Sequence, residues 1–360
     1  MASDLIRHFK LTRYKILSCI SFGVVFWATT LVSEKAPLQE SGPERHLQNL
    51  RQLTFGAENA EAYFSFDGTK LIFQSTRDGY PCDQIYTMDL DGTKVRRIST
   101  GKGRTTCSYF LPDGKHFIYS STHLAGSGCP PKPSFAKGYV WAIDKGFDLF
   151  LSDFEGNLTQ LTRTPGYDAE ATVSPDGKRI VFTSVRDGDL ELYSMNTDGS
   201  EVKRLTHTLG YDGGAFFSPD NRKIVYRASH PSEEPDIARY KELLAAGLIE
   251  PGQLELYIMN ADGSNSVQIT QNGAANFCPF FHPNGKQIIF ASNLGDPKGR
   301  NFDLYLINVD GTGLQQVTNN ETFDGFPMFS PDGKRLVFAS NRNGRVKGET
   351  NVFIADWVDE

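Results

Sequence analysis

The chain has 360 residues, 39% hydrophobic and 12% aromatic, enough apolar material for a large core within one domain. A formal net charge of −6 with no basic stripe excludes a nucleic-acid partner. The chain carries no His-Glu-x-x-His zinc motif, phosphate loop or Gly-x-Ser-x-Gly elbow, so the commonest hydrolase signatures are excluded as well.

In chain order, Arg7, Lys10, Arg13 and Lys15 precede Ile16 to Val32, a run of 17 residues without a charge. Residues 1–33 read as an export signal. The run is longer than a usual signal-peptide core and close to the lower limit for a spanning helix, so a cleaved signal and an apolar helix kept as a signal anchor both stand. Basic residues before it place the N-terminus inside. Residues 34–45 form a polar linker, membrane contact is confined to 16–32, and everything after it belongs in the periplasm or outside the cell. Cys19 lies too near the start of the run to mark a lipoprotein.

From residue 46 on, one phrase keeps returning: Phe64-Ser65-Phe66-Asp67-Gly68, Leu111-Pro112-Asp113-Gly114, Ser174-Pro175-Asp176-Gly177, Ser218-Pro219-Asp220-Asn221, His282-Pro283-Asn284-Gly285 and Ser330-Pro331-Asp332-Gly333. Each is a hairpin turn, with Pro presetting φ and Asp and Gly tolerating the tight geometry. Equivalent turn residues lie 46, 63, 44, 64 and 48 apart, so two units carry insertions. Around each turn stand four short β-branched and aromatic runs, as in Arg179 to Ser184, Leu192 to Asn196 and Val202 to Thr206. Four strands in a period of about 40–50 residues make a β-propeller blade, so 46–360 is predicted to be an all-β, six-bladed propeller of four-stranded blades. The sixth unit has only three such runs, the last over Asn351 to Trp357. Leu47 to Thr54 has the texture of a missing fourth strand and is expected to close the ring, leaving no free edge.

The Ser-Pro-Asp-Gly turn, the Ser-x-Arg-Asp-Gly loop and the Asp-Gly-Ser hairpin together resemble the repeats of TolB-type six-bladed propellers, over about residues 46 to 358. The separate N-terminal α/β domain of TolB has no counterpart here. The resemblance implies the fold. It leaves the role open among periplasmic protein-binding modules, accessory domains of peptidases and occasional enzymes.

Both insertions fall in loops on one face of the ring, at about 123–148 and 230–253, the second containing a predicted helix over Pro235 to Leu244. Long loops on a rigid ring are where function concentrates. Tyr139, Trp141 and Tyr240 are the predicted binding anchors. Four cysteines beyond Cys19 invite pairing in an oxidising compartment, and a disulfide is expected between Cys107 and either Cys82 or Cys129. Aligning the blades puts Asn59, Thr105, Asp168, Asp212, Asn276 and Asp324 at one site, and Glu61, Cys107, Glu170, Gly214, Cys278 and Phe326 two residues further in. Asp168, Asp212 and Asp324 then become candidates for binding a cation or a basic peptide, calcium being the ion that oxygen ligands suit. They also fit a structural role, capping backbone amides at strand starts. His123 and His230, which open the two insertions, are candidate metal ligands, with solvated loop histidines as the plainer alternative. Arg77, Arg186 and Arg342 read as braces between blades. The expectation is an exported, monomeric, non-catalytic propeller that binds a protein or peptide through the insertion-bearing face. Its rival is an enzyme acting on carbohydrate or peptide, with Glu61 and Glu170 as acid and base.

Overall fold

The computed structural model of the protein describes residues 43–133, 136, 138–296 and 298–359. The N-terminal apolar run and the linker as far as residue 42 lie outside the described residues. Among the described residues no helix is long and apolar enough to cross a membrane. Six four-stranded antiparallel sheets follow one another around a central channel, each ordered from an innermost to an outermost strand. The fold expected from the repeats is the fold observed.

Blade 3 shows why the sequence folds this way. Its strands are Asp168–Val173, Arg179–Ser184, Glu191–Asn196 and Lys203–Arg204. The second strand is buried on both faces, since Ile180 and Phe182 point one way, Val181 and Thr183 the other, and all four are out of solvent. Neighbouring blades cover both faces, which is why the run is almost continuously apolar. At its turn the Ser174 hydroxyl donates to Asp176 (2.7 Å) and accepts from the amides of Lys178 and Arg179 (3.2 and 2.9 Å). Gly177 sits at φ 71°, and Asn221 takes the same left-handed place in blade 4 at 64°. In the hairpins to the outer strands, glycine answers a different need. A Cβ on Gly199 or Gly263 would lie 3.0 or 2.7 Å from the Leu161 or Leu205 carbonyl, because the preceding blade's backbone passes there.

Every blade also stacks one ring from its second strand on one from its third. The pairs are Phe73–Tyr86, Tyr119–Phe150, Phe182–Tyr193, Tyr226–Tyr257, Phe290–Tyr305 and Phe338–Phe353, with centroids 5.5 to 6.1 Å apart. Such pairs contribute about 0.5–1.5 kcal/mol beyond burial.

The ring closes as predicted: Leu47–Gln52 pairs antiparallel with Asn351–Trp357 as the outer strand of blade 6. His46 stacks on Trp357 at 4.6 Å, and Arg342 donates two hydrogen bonds to Glu44 at 3.1 and 3.0 Å.

The insertions hold a feature absent from the sequence reading. The blade 4 insertion contains the expected helix, Glu234–Ala245, with Pro near its start and Leu243 buried. Just after it Leu248–Ile249 pairs antiparallel with Trp141–Ala142 of the blade 2 insertion. Two loops rooted two blades apart are thus stitched into one ribbon. The disulfide expectation is corrected: Cys82 bonds to Cys129, tying blade 1 to the blade 2 insertion, and Cys107 is a free thiol. Cys82 and Cys129 both lie in loops of the insertion-bearing face, whereas Cys107 lies on an innermost strand and is turned into the channel.

Candidate functional site at the channel mouth

All six innermost strands carry a bulge, after the second residue in five blades and after the third, Gly213, in blade 4, seen as a register shift against the second strand. The residue after the shift has positive φ in every blade: Glu61 50°, Cys107 50°, Glu170 56°, Gly214 57°, Cys278 53° and Phe326 54°. For the five that are not glycine this costs on the order of 1 kcal/mol each. The bulge turns five side chains and the Gly214 backbone toward the axis, where all six residues line a cavity of about 970 Å³. The alignment that grouped them from sequence is confirmed, and the left-handed backbone is its cause.

Blade 4 departs from the others. Where Gln74, Ser120, Thr183, Ala291 and Ala339 face the second residue of their inner strands, blade 4 has Arg227 opposite Gly213. Arg227 is buried, and its guanidinium bonds to Glu170 of blade 3 at 2.5 Å and to the Tyr211 hydroxyl at 3.0 Å. Glu170 also accepts from the Tyr211 hydroxyl (2.9 Å), the Gly214 amide (3.0 Å) and the Thr183 hydroxyl (2.9 Å). Trp141, from the ribbon, covers the guanidinium at 5.4 Å, and Tyr211 covers it at 5.6 Å. A Cβ at Gly213 would strike Tyr211 and Glu170, and one at Gly214 would strike Arg227. Sequence reasoning missed Arg227. Its signal was present, as an arginine following the buried Ile224, Val225 and Tyr226 in one strand, with a glycine pair on the neighbouring strand.

Glu61 has a different setting. Burial pushes its carboxyl up to about 7; a hydrogen bond from the Cys107 thiol opposes this, and the repulsion of Glu170 adds a smaller push upward. Burial likewise raises both channel thiols, Cys107 and Cys278, well above their ordinary value.

The other predicted residues do not converge here. Asp168, Asp212 and Asp324 are fully buried, each at the start of its own blade's inner strand. Asp168 accepts from Arg186 at 3.0 Å, Asp212 from His230 at 2.9 Å, and Asp324 from Arg342 at 2.6 Å. Asn59 plays the same part for Arg77 at 3.1 Å. The arginines therefore brace their own blades' inner strands, where the sequence suggested bracing between blades. His123 and His230 occupy the position that Arg77, Arg186 and Arg342 hold elsewhere, two residues beyond the residue facing the strand start, and each packs on its blade's ring pair. Burial lowers the pKa of His123, while for His230 burial is outweighed by its acidic neighbours together, Asp212 first, then Glu191 and Asp189, and the pKa rises. Among the described residues no group of three or more His, Cys, Asp or Glu side chains is placed to hold a metal ion.

Of the predicted anchors, Tyr139 is 66% exposed and Trp141 is partly covered, its indole N–H directed to the Tyr139 hydroxyl at 3.3 Å. Tyr240 faces inward and fastens the helix to the ring, its hydroxyl within hydrogen-bond reach of both Asp189 and the Gly210 carbonyl.

A family description of the TolB beta propeller domain matches residues 143–242. That stretch runs from the ribbon through blade 3 into the blade 4 insertion. Over that stretch the chain is similar to the TolB-type β-propellers. Protein TolB homolog of Chlorobium luteolum is 25% identical over 260 residues, 69% of this chain and 51% of that protein, so the propeller spans about half of that relative's length. Among solved structures, TolB from Acinetobacter baumannii superposes with a TM-score of 0.54 at 18% identity, covering 84% of this chain and 64% of the other. Oligogalacturonate lyase from Vibrio parahaemolyticus gives 0.51 at 16%, covering 85% and 93%. At those identities the likeness shows the fold alone.

Proposed function

We propose that this propeller is an exported, non-catalytic binding module that receives a protein or peptide at the channel mouth, on the insertion-bearing face. One observation carries the reading. The insertions of blades 2 and 4 are joined through Trp141–Ala142 and Leu248–Ile249, so a shaped rim stands over a cavity that mixes aromatic rings with polar and charged side chains. Ordering two long loops costs conformational entropy, and a ribbon that contributes nothing to the ring's own sheets is consistent with a recognition surface. Exposed Tyr139 and half-covered Trp141 are the anchors; tyrosine and tryptophan dominate interface energetics. The Cys82–Cys129 disulfide, with Cys82 buried, and the apolar run at 16–32 support export and maturation outside the cytoplasm.

The acid–base reading of Glu61 with Glu170 draws no support from Glu170, which is held by Arg227 and three further donors. The test is a photo-crosslinking residue placed at Tyr139 and, as a control, at Val267 on an outer strand. A discrete adduct with an envelope protein is expected from position 139 only, and Trp141→Ala is expected to weaken its capture about tenfold. Equal labelling from both positions would overturn the reading.

A further inference from the structure

Four carboxylates line the channel cavity, and beside the exposed Glu58 the charge partners of the other three can be compared. Glu170 is matched by Arg227 at 2.5 Å, and Asp83 near the rim faces Arg104 at 3.8 Å. Glu61 has no basic side chain within ion-pair reach among the described residues. It lines the same cavity as the rings of Tyr63, Tyr167, Tyr211, Phe277 and Phe326. An unmatched carboxylate in such a place costs several kcal/mol to keep charged. A bound cation relieves that cost, because the ring faces and the carboxylate attract positive charge together. Of the cationic side chains that line the cavity, Arg227 is bonded to Glu170 and Tyr211 and covered on its faces by Trp141 and Tyr211, Arg104 faces Asp83, and Arg300 is exposed to solvent.

We propose that the channel binds an alkylammonium group, with Glu61 as its counter-ion and the surrounding rings as its walls. The proposal rests on the reading of the mouth as a peptide site, and the group is then a lysine side chain of the partner. A cavity of about 970 Å³ has room for that side chain and the residues flanking it. Binding couples to protons: in the free protein burial holds the Glu61 carboxyl near 7, so at pH 6 it must release a proton before it can pair. Affinity therefore rises from pH 6 to pH 8, over which the ammonium itself stays charged.

The experiment is calorimetric titration of the intact protein with n-butylammonium chloride, with a capped Gly-Lys-Gly peptide and with its norleucine counterpart, at pH 6 and pH 8. One ammonium per ring is expected, bound several-fold more tightly at pH 8, with the norleucine peptide silent. Glu61→Gln is expected to lower affinity at least tenfold and to erase the pH difference. A lysine peptide that binds more tightly than butylammonium identifies a peptide as the source, and equal binding identifies a free amine. The proposal is overturned if neither amine binds, if norleucine serves as well as lysine, or if Glu61→Gln binds like the parent. Should that variant fail to fold, the pH comparison on the unaltered protein decides alone. A crosslink at Tyr139 that persists without any ammonium binding would leave the peptide site standing and remove only this inference.

Discussion

Arg227 and Glu170 come from different blades, and their contact bridges the joint between blades 3 and 4 deep in the channel. Both side chains are nearly buried, so removing one partner leaves the other charged and unmatched, a loss of about 3–5 kcal/mol. Arg227→Ala is accordingly expected to lower the melting temperature strongly, measured by calorimetry. Gly214→Ala offers a sharper test of cause. Five blades tolerate a side chain at the same left-handed φ, so backbone strain alone would make this substitution mild. Here the added methyl meets the Arg227 guanidinium, and a destabilisation well beyond about 1 kcal/mol is expected. Pairing it with Arg227→Met in a double-mutant cycle should recover much of the loss; simple additivity would locate the problem in the backbone instead.

Among the elements, the stitched ribbon and its disulfide define the site. Cys82 and Cys129 close a span of 47 residues, and the chain-entropy relation assigns such a closure about 4 kcal/mol. Replacing both with serine is expected to lower the denaturant midpoint. Because the bond tethers an insertion, amide exchange should quicken around Trp141–Ala142 and Leu248–Ile249 while the blade strands stay protected. Uniform loss of protection across all six blades would mean that the disulfide braces the ring as a whole. The second-strand ends make a related point: arginine in three blades and histidine in two fill one structural position over the ring pair, so the histidines that looked special in sequence are variants of a brace.

On the scale of the whole molecule, the ring depends on its seam and its joints. Trp357 lies at the seam against His46 and Phe329, at 4.6 and 4.8 Å, and Trp357→Ala is expected to cost about 3–5 kcal/mol. The joint between blades 5 and 6 sets Asp303 beside Asp324, and burial followed by that neighbour lifts Asp303 from its ordinary 3.8 to about 7. The folded ring thus binds a proton that the unfolded chain releases. Stability from this group is complete below about pH 4 and is lost as pH rises through about 7. The melting temperature is expected to fall between pH 5 and pH 8, and Asp303→Asn to flatten that fall; an unchanged slope in the variant would assign the effect to other groups.

The sequence by itself determined the architecture, because each blade repeats the same local instructions: Ser174 and Asp176 organise the turn, Gly199 clears the neighbouring backbone, and Phe182 meets Tyr193. It also placed Leu47 to Thr54 in the final blade and grouped Glu61, Cys107, Glu170, Gly214, Cys278 and Phe326 correctly, since a repeat turns position in sequence into position on a ring. Only the tertiary structure decided which of these residues act together. The partnership of Arg227 with Glu170, the meeting of Trp141–Ala142 with Leu248–Ile249, and the choice of Cys129 over Cys107 for Cys82 all join different repeats. A repeat fixes each blade by short-range contacts. Pairings between insertions and between channel side chains depend on how far and in which direction each departs from the repeat, and that is settled only when the ring closes.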